Sequence, residues 1–194
     1  TKTPFKYKGW FGINTLPEFK EVDGNIVAGP KEYIFNATKR WMNPMDKGIK
    51  DGIDGWRLDV AYNVGHPFWQ DWRKWVRSIN PAAYMTAELV DPIEKTRPYL
   101  SGDEFDATMN YNFAFIVHDF FVQDTTAITV TQMDTRLKEL REAFGPGVAY
   151  NMQNLMNSHD ATRLASAVAN PDGKRFGDWG QYFNWSQKSN NKNY

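Results

Sequence analysis

The chain has 194 residues and no net charge, because 23 Lys and Arg residues balance 23 Asp and Glu residues. This balance excludes the basic surface that nucleic acids and anionic membranes attract. The absence of cysteine excludes disulfides, thiolate metal sites and cysteine nucleophiles. An aromatic fraction of 15% argues against disorder, and no apolar stretch approaches the roughly 18 residues of a membrane span. We therefore expect an ordered globular domain with no nucleic-acid or membrane partner.

The first part of the chain predicts an irregular arm followed by a helix. Residues 1–30 show little periodicity and contain scattered aromatic residues among Lys, Gly and Pro. We expect this arm to cover a core, although its rings would also suit a sugar-binding surface. From residue 31 onward apolar residues recur at steps of three to four, which predicts a helix that Pro44 bends or ends; they are Ile34, Ala37, Trp41 and Met45.

Strands then alternate with helices as far as residue 169. Alternation of apolar residues predicts strands, and spacings of three to four predict helices. The predicted strands cover 56–60, 84–90, 105–109 and 153–157, and the helices cover 68–79, 113–121 and 130–144. This order indicates parallel pairing and the α/β class. Gly145-Pro146-Gly147 predicts a helix stop, and residues 170–194 predict a polar loop.

Three acidic residues fall at the carboxyl ends of these predicted strands. They are Asp59, Glu88 and Asp160, and in a parallel sheet or barrel such ends share the face where ligands bind. An Asp after a strand is often only a helix cap, which is the alternative for Asp59 and Asp160. Glu88 is harder to explain in that way, because Glu is depleted in strands. The three together favour a catalytic site.

Two carboxyl groups on neighbouring strands are the requirement for glycoside hydrolysis with retention. One carboxylate attacks the anomeric carbon, and a protonated partner about 5–5.5 Å away donates to the leaving oxygen. Arg57 lies two residues before Asp59, so its cation falls on the same strand face and would keep Asp59 ionised. His159 and Asp160 would hold sugar hydroxyl groups.

Three motifs resemble those of the α-amylase family of glycoside hydrolases. Residues 55–61 (Gly-Trp-Arg-Leu-Asp-Val-Ala) resemble its strand-four motif, residues 86–89 its strand-five motif, and residues 157–160 (Asn-Ser-His-Asp) its strand-seven motif. They occur in the family's order, and the resemblance extends over about residues 9–164. Residues 55–69 are most similar to the neopullulanase, cyclomaltodextrinase and maltogenic amylase group.

The resemblance implies both a fold and roles for these residues. It implies a partial (β/α)8 barrel covering strands four to seven, with residues 1–194 forming part of one catalytic domain. It makes Asp59 the nucleophile, Glu88 the general acid/base and Asp160 the transition-state stabiliser, with Arg57 and His159 in support. The implied substrates are α-1,4 and α-1,6 glucans such as starch.

Two departures from the family pattern affect these expectations. Asn63 stands where the neopullulanase group has Glu on the acceptor side, so bond preference and the choice between transfer and hydrolysis stay open. The strand-three motif, an Asp and an Asn-His pair that hold the sugar before the cleaved bond, has no match. We therefore expect strands one to three to precede residue 1 and strand eight to follow residue 194. We also expect the isolated chain to be nearly inactive and to self-associate through open barrel edges.

No cofactor is required for this chemistry. Family members hold structural calcium, but the sequence shows no Asp-rich loop with calcium-ligand spacing and no other metal site. The alternative function is a non-catalytic glucan-binding or scaffold module, which would keep the aromatic residues and the sheet. A serine hydrolase is disfavoured, because no Gly-x-Ser-x-Gly elbow occurs.

Overall fold

A computed structural model describes residues 7–169 and residue 171. The described residues form two units, one of residues 7–88 and 99–106 and the other of residues 89–98, 107–169 and 171. Within the described part of the chain, no helix combines the length and apolar character of a membrane span. The polar loop predicted over 170–194 lies outside the described residues, apart from residue 171.

The first unit opens with a β-hairpin inside the segment predicted to be irregular. Strands β1 (Glu21–Val22) and β2 (Asn25–Ile26) pair antiparallel. Asp23 and Gly24 between them have φ values of 51° and 74°, as a two-residue type I′ turn requires, and Asp-Gly is a preferred pair for that turn. The prediction of an irregular arm is therefore wrong here, because the Asp-Gly signal outweighs the missing periodicity.

Two helices of the first unit pack against each other through aromatic side chains. Helix α1 (Ala28–Met42) begins three residues before the predicted start and ends before Pro44, where a proline would interrupt its hydrogen bonds. Helix α2 (His66–Ile79) confirms the prediction over 68–79. The rings of Phe35 and Trp75 stack at 5.7 Å between these helices.

The first unit contains two parallel strands that carry the candidate catalytic residues. Strands β3 (Gly55–Leu58) and β4 (Tyr84–Ala87) pair over four residues, with Leu58 opposite Ala87. Both strands lie where the sequence predicts them, but each is shorter than predicted. Asp59 and Glu88 are consequently the first residues after their strands.

A ring cluster supports β3 from the side of α2. Neighbouring ring centroids lie 5.1–6.0 Å apart, mostly edge to face or tilted, the arrangement that aromatic quadrupoles favour. The cluster consists of Trp56, Phe68, Trp69, Trp72 and Phe105. Since Phe68, Trp72 and Phe105 are almost fully buried, it forms the core of this unit.

The second unit combines four helices with a second pair of parallel strands. Strands β5 (Ala107–Asn110) and β6 (Gln153–Asn154) confirm two further predicted strands, although β6 has only two residues. The helices are α3 (Ile93–Thr96), α4 (Tyr111–Phe121), α5 (Val130–Asn151) and α6 (Leu164–Ala169). Helices α4 and α5 confirm predictions, whereas α3 and α6 were not predicted.

Helix α5 begins with a cap and breaks where the sequence predicts a stop. The Thr129 side chain accepts from the Gln132 N–H while the Gln132 side chain accepts from the Thr129 N–H, which is a capping box. Gly145 leaves the helical region with φ 70° and ψ 165°. Helical turns then resume at Pro146, a residue suited to the first turn of a helix. The predicted stop is therefore a kink rather than an end.

Candidate active site

The side chains that follow β3 and β4 lie on one face of this strand pair. Arg57 is opposite Thr86 in the register, and side chains two residues apart on a strand point to the same face. Asp59 and Glu88, two residues beyond them, therefore emerge beside each other. The predicted convergence of these two acidic residues at adjacent strand ends is present in the structure.

One guanidinium contacts both carboxyl groups. Nη1 of Arg57 pairs with Oδ1 of Asp59, and Nη2 lies 3.0 Å from Oε1 of Glu88. The Glu88 side chain is only 8% exposed, whereas that of Asp59 is 65% exposed. Because a buried carboxylate needs a charged or hydrogen-bonding partner, Arg57 stabilises Glu88 and offsets the repulsion between the two acids.

The turn after Asp59 holds Glu88 with backbone groups. The Val60 N–H donates to Oε2 of Glu88 at 2.9 Å, and the Ala61 N–H donates to the Glu88 carbonyl at 3.3 Å. Val60 adopts a left-handed conformation with φ 45° and ψ 47°. A β-branched residue in that region carries strain of roughly 1–3 kcal/mol. No sequence pattern indicated this role, because valine gives no signal for a left-handed turn.

Asn63 lies in the same turn, within the short 3-10 helix Ala61–Asn63. The indole of Trp69 donates to the Ala61 carbonyl at 2.9 Å and fixes this turn to α2. The Nδ2 atom of Asn63 is buried and has no hydrogen-bond partner among the residues that the structure describes. A buried amide donor of this kind is satisfied when a ligand oxygen reaches it.

The predicted residues His159 and Asp160 lie in the second unit. Nε2 of His159 is 3.0 Å from Oδ2 of Asp160. The Asp160 N–H donates to Oγ of Ser158 at 3.1 Å, and that hydroxyl is 2.7 Å from the hydroxyl of Tyr111. Tyr111 is buried at the start of α4, so it anchors the turn that carries Asp160. No sequence pattern singled out Tyr111, which lies two residues after the predicted strand 105–109.

A second buried carboxyl group lies in the first unit, at the start of α2. Oε1 of Glu104 is 2.7 Å from Nδ1 of His66, whose ring packs on Tyr99 at 4.2 Å. The Glu104 side chain is 2% exposed, and its Oε2 has no hydrogen-bond partner among the described residues. Burial raises the pKa of Glu104 above its ordinary value, while the hydrogen bond with His66 opposes that rise.

The described residues contain no group of three or more His, Asp or Glu side chains placed to hold a metal ion. The first unit presents two carboxyl groups sharing one guanidinium and, in the turn that follows Asp59, a buried amide donor at Asn63. The second unit presents one carboxyl group beside an imidazole. Carboxyl groups at adjacent strand ends can act as nucleophile and proton donor toward an acetal carbon.

The family model described as "Alpha amylase, catalytic domain" matches residues 31–179 of this chain. Among curated proteins, Neopullulanase 2 of Thermoactinomyces vulgaris is 34% identical over 185 residues, which cover 87% of this chain and 30% of that protein. A cyclomaltodextrinase of a Bacillus species is 35% identical over 176 residues, covering 82% of this chain and 29% of that protein. The chain spans less than a third of the length of these relatives.

Solved enzyme structures also superpose on most of this chain. A debranching enzyme from Nostoc punctiforme superposes with a TM-score of 0.69 at 29% identity, covering 88% of this chain and 37% of that one. The cyclic α-maltosyl-(1→6)-maltose hydrolase from Arthrobacter globiformis, in complex with maltose, superposes with a TM-score of 0.70 at 29% identity, covering 87% and 35%. These matches confirm the expected α/β fold as part of a (β/α)8 barrel.

Proposed function

This chain belongs to the α-amylase family, and we propose that it forms the centre of a retaining α-glucan hydrolase. The observation that carries the proposal is the shared guanidinium of Arg57, which contacts Asp59 and Glu88 at adjacent strand ends. A binding module has no need for two neighbouring carboxyl groups, one of them buried. Retaining hydrolysis requires such a pair.

Asp59 is the nucleophile in this proposal. Its side chain is exposed at the strand end, so an anomeric carbon can reach it, and Arg57 contacts it there. Glu88 is the general acid/base. It donates a proton to the leaving oxygen, and as a carboxylate it then accepts the proton of the water that releases the sugar. The 5–5.5 Å separation of the two carboxyl groups expected for retention stays a prediction.

Asp160 and His159, in the second unit, have the remaining proposed roles. Asp160 would stabilise the positive charge that develops on the sugar ring, and His159 would bind a sugar hydroxyl group. Their contact of 3.0 Å supports a joint role. Asn63, with its unpaired buried amide, would bind the sugar on the acceptor side.

The proposed substrates are α-1,4 glucans, together with α-1,6 bonds. One structural relative is named for hydrolysis of a cyclic sugar with (1→6) bonds and was solved with maltose, and the Nostoc punctiforme enzyme was soaked with acarbose. The proposed reaction needs no cofactor, because its two carboxyl groups supply the nucleophile and the proton.

Self-association belongs to the same proposal. Strand β3 has β4 as its single partner strand in the described part of the chain, so it is an edge strand there. The unpaired N–H and C=O groups of an edge strand can pair with a strand of another chain. Large apolar side chains of the first unit are also strongly exposed, at 74% for Tyr33, 61% for Trp41 and 78% for Met45. Burying them in a second copy or in further parts of a barrel would remove apolar surface from water.

The test follows the anomer released from a malto-oligosaccharide by an enzyme that holds this chain in a complete catalytic domain. Proton NMR should detect the α-anomer before mutarotation. Asp59→Asn should lower kcat by about 10⁴-fold or more, as removal of a nucleophile does, while thermal unfolding stays unchanged. First release of the β-anomer, or near-normal turnover by the variant, would reject Asp59 as nucleophile.

The isolated 194-residue chain should hydrolyse starch and cyclodextrins roughly 10³- to 10⁶-fold more slowly than the complete domain. The strand-three motif of the family has no match in this sequence, and each lost contact to the sugar is worth about 1.5–3 kcal/mol. Reducing-sugar release measures this, with Glu88→Gln as the contamination control. The alternative, a glucan-binding fragment, predicts binding of maltodextrin without any release; ordinary turnover that Glu88→Gln stops would contradict the expected inactivity.

A further inference from the structure

The backbone after Asp59 is held in a conformation that its residue type disfavours. Val60 has φ 45° and ψ 47°, the left-handed region that Gly and Asn occupy easily and β-branched residues avoid. Such strain persists only where the surrounding structure enforces it, and it clusters at functional sites. We therefore expect the strained turn at Val60 to have a role in the site that an unstrained turn would not fill.

Three hydrogen bonds enforce the turn from both sides. The Val60 N–H donates to Oε2 of Glu88 at 2.9 Å, and the Ala61 N–H donates to the Glu88 carbonyl at 3.3 Å. On the side of α2, the Trp69 indole holds the Ala61 carbonyl at 2.9 Å. The left-handed conformation fixes the angle between the two amide planes that flank Val60, and in this arrangement the Val60 N–H reaches the side chain of Glu88 while the Ala61 N–H reaches its carbonyl.

The Arg57 and Val60 donors at Glu88 differ in kind. Arg57 serves both acids, with Nη1 on Asp59 and Nη2 on Glu88. The Val60 N–H is a backbone group with a fixed position. It contacts Oε2 of Glu88, while Nη2 of Arg57 contacts Oε1. Hydrogen bonds to a carboxylate favour the charged form. The backbone donor at Glu88 is therefore separate from the guanidinium that Asp59 shares.

We propose that Val60 is a positioning residue whose N–H, held on Glu88 within the left-handed turn, sets the pH at which Glu88 exchanges its proton. This inference rests on the proposed function of Glu88 as general acid/base. The N–H stabilises the carboxylate that must accept a proton from water in the second half of the reaction. This N–H serves Glu88, whereas the guanidinium of Arg57 is shared between Glu88 and Asp59.

The experiment removes that single N–H group. In the 194-residue chain, Val60 is replaced by the α-hydroxy acid with the same side chain, which turns the amide into an ester. Carbon-13 NMR then follows the Glu88 carboxyl carbon, assigned by its loss in Glu88→Gln. We expect the titration midpoint of Glu88 to rise by about 1–2 pH units, the loss of one hydrogen bond to a charged group.

Val60→Gly is the matched control, because glycine keeps the N–H and occupies the left-handed region without strain. It should leave the midpoint within about 0.3 pH units and leave the melting temperature equal or higher by up to about 4 °C. A midpoint that stays unchanged in the ester overturns the proposal. So does a Val60→Gly midpoint that rises as far as that of the ester.

A second measurement does not depend on folding of the ester. In the unmodified chain, the amide proton of Val60 should shift with the same midpoint as Glu88, and Glu88→Gln should abolish that pH dependence. An amide shift that ignores Glu88 overturns the proposal. If both NMR results hold but a complete domain hydrolyses no α-glucan, the enzyme assignment fails and the positioning role of Val60 stands. If a complete domain hydrolyses α-glucan but these NMR shifts are absent, the positioning role fails and the enzyme assignment stands.

Discussion

The two units place their acidic site residues by different physical means. In the first unit, Glu88 follows a strand paired over four residues and is nearly buried against Arg57 and the Val60 N–H. In the second unit, Asp160 lies six residues beyond a two-residue strand and is positioned by the side chains of Ser158 and Tyr111. Burial makes the first arrangement rigid and dependent on charge balance, whereas the second depends on ordinary hydrogen bonds.

The same contrast extends to other carboxyl groups of the first unit. Asp106 is mostly buried between Arg73 and Arg77, at 2.8 and 2.7 Å, and it also accepts from the Met85 N–H at 3.0 Å. Together with Glu88 and Glu104 it gives the first unit three buried or mostly buried carboxyl groups. Stability of that unit should therefore follow the ionisation of its side chains more closely than stability of the second unit does.

The largest difference in stability between variants of the two units is expected at Arg57. Arg57→Ala leaves Glu88 buried without its cation, which should lower the free energy of unfolding by roughly 3 kcal/mol, the lower end for a broken buried pair. For a chain of this size that is about 6–12 °C in melting temperature. Calorimetry of the 194-residue chain measures it.

Arg163→Ala is the matched control in the second unit. Its guanidinium donates to the Ser158 carbonyl from an exposed position, so the loss should stay below about 1 kcal/mol. Equal losses in the two variants would show that the buried charge at Glu88 does not distinguish the units.

A smaller effect is expected at Tyr111. Tyr111→Phe removes the hydroxyl that contacts Ser158 at 2.7 Å and should lower the free energy of unfolding by about 1 kcal/mol. In a complete catalytic domain, kcat should fall while KM changes little, because the turn carrying Asp160 loses its anchor. Urea unfolding and steady-state kinetics measure the two effects.

Tyr150→Phe provides the control, since Tyr150 is 91% exposed and its hydroxyl should contribute nothing measurable. A Tyr111→Phe variant with unchanged stability and kcat would mean that the Asp160 turn is positioned by its backbone alone.

The smallest effect concerns the pH dependence of the first unit. The raised pKa of Glu104 means that the folded chain binds this proton more tightly than the unfolded chain does. The resulting stabilisation is present at low pH and is lost as pH rises from the ordinary glutamate pKa through the raised one. Glu104→Gln removes this titration and keeps a side chain that can bond to His66.

Melting temperatures of both forms between pH 4 and pH 7 test this sign. The unmodified chain should lose more stability over that interval than Glu104→Gln does. A variant whose melting temperature falls as steeply as that of the unmodified chain would assign the pH dependence to other groups.

The sequence allowed much of the architecture to be predicted, because long elements repeat their apolar residues at a recognisable period. Helix α2, with its apolar face against β3 and α1, was found in this way, and strands β3 to β6 were predicted as shorter segments between the helices. Helices α3 and α6 were missed because four and six residues are too few to show a period. The hairpin at Asp23-Gly24 was missed although its turn signal was present.

The site was predictable to the extent that it depends on residue type. Asp59, Glu88 and Arg57 stand out as charged residues at strand ends, and alternation along a strand places them on one face. The contribution of Val60 comes from its backbone, and the sequence would have suggested glycine or asparagine for such a turn. Which donors surround Glu88 could therefore be learned only from the fold.

The ring cluster has an optical consequence. Trp69 donates its indole N–H to the turn that follows Asp59, and its ring contacts both Phe68 and Trp72. Indole emission responds to hydrogen bonding and to nearby rings, so loosening of the turn should change the fluorescence of this chain before the unit unfolds. Trp69 is thus a built-in reporter of the turn after Asp59, and the difference in time-resolved emission between the unmodified chain and Trp69→Phe would separate its signal from those of the seven other tryptophans.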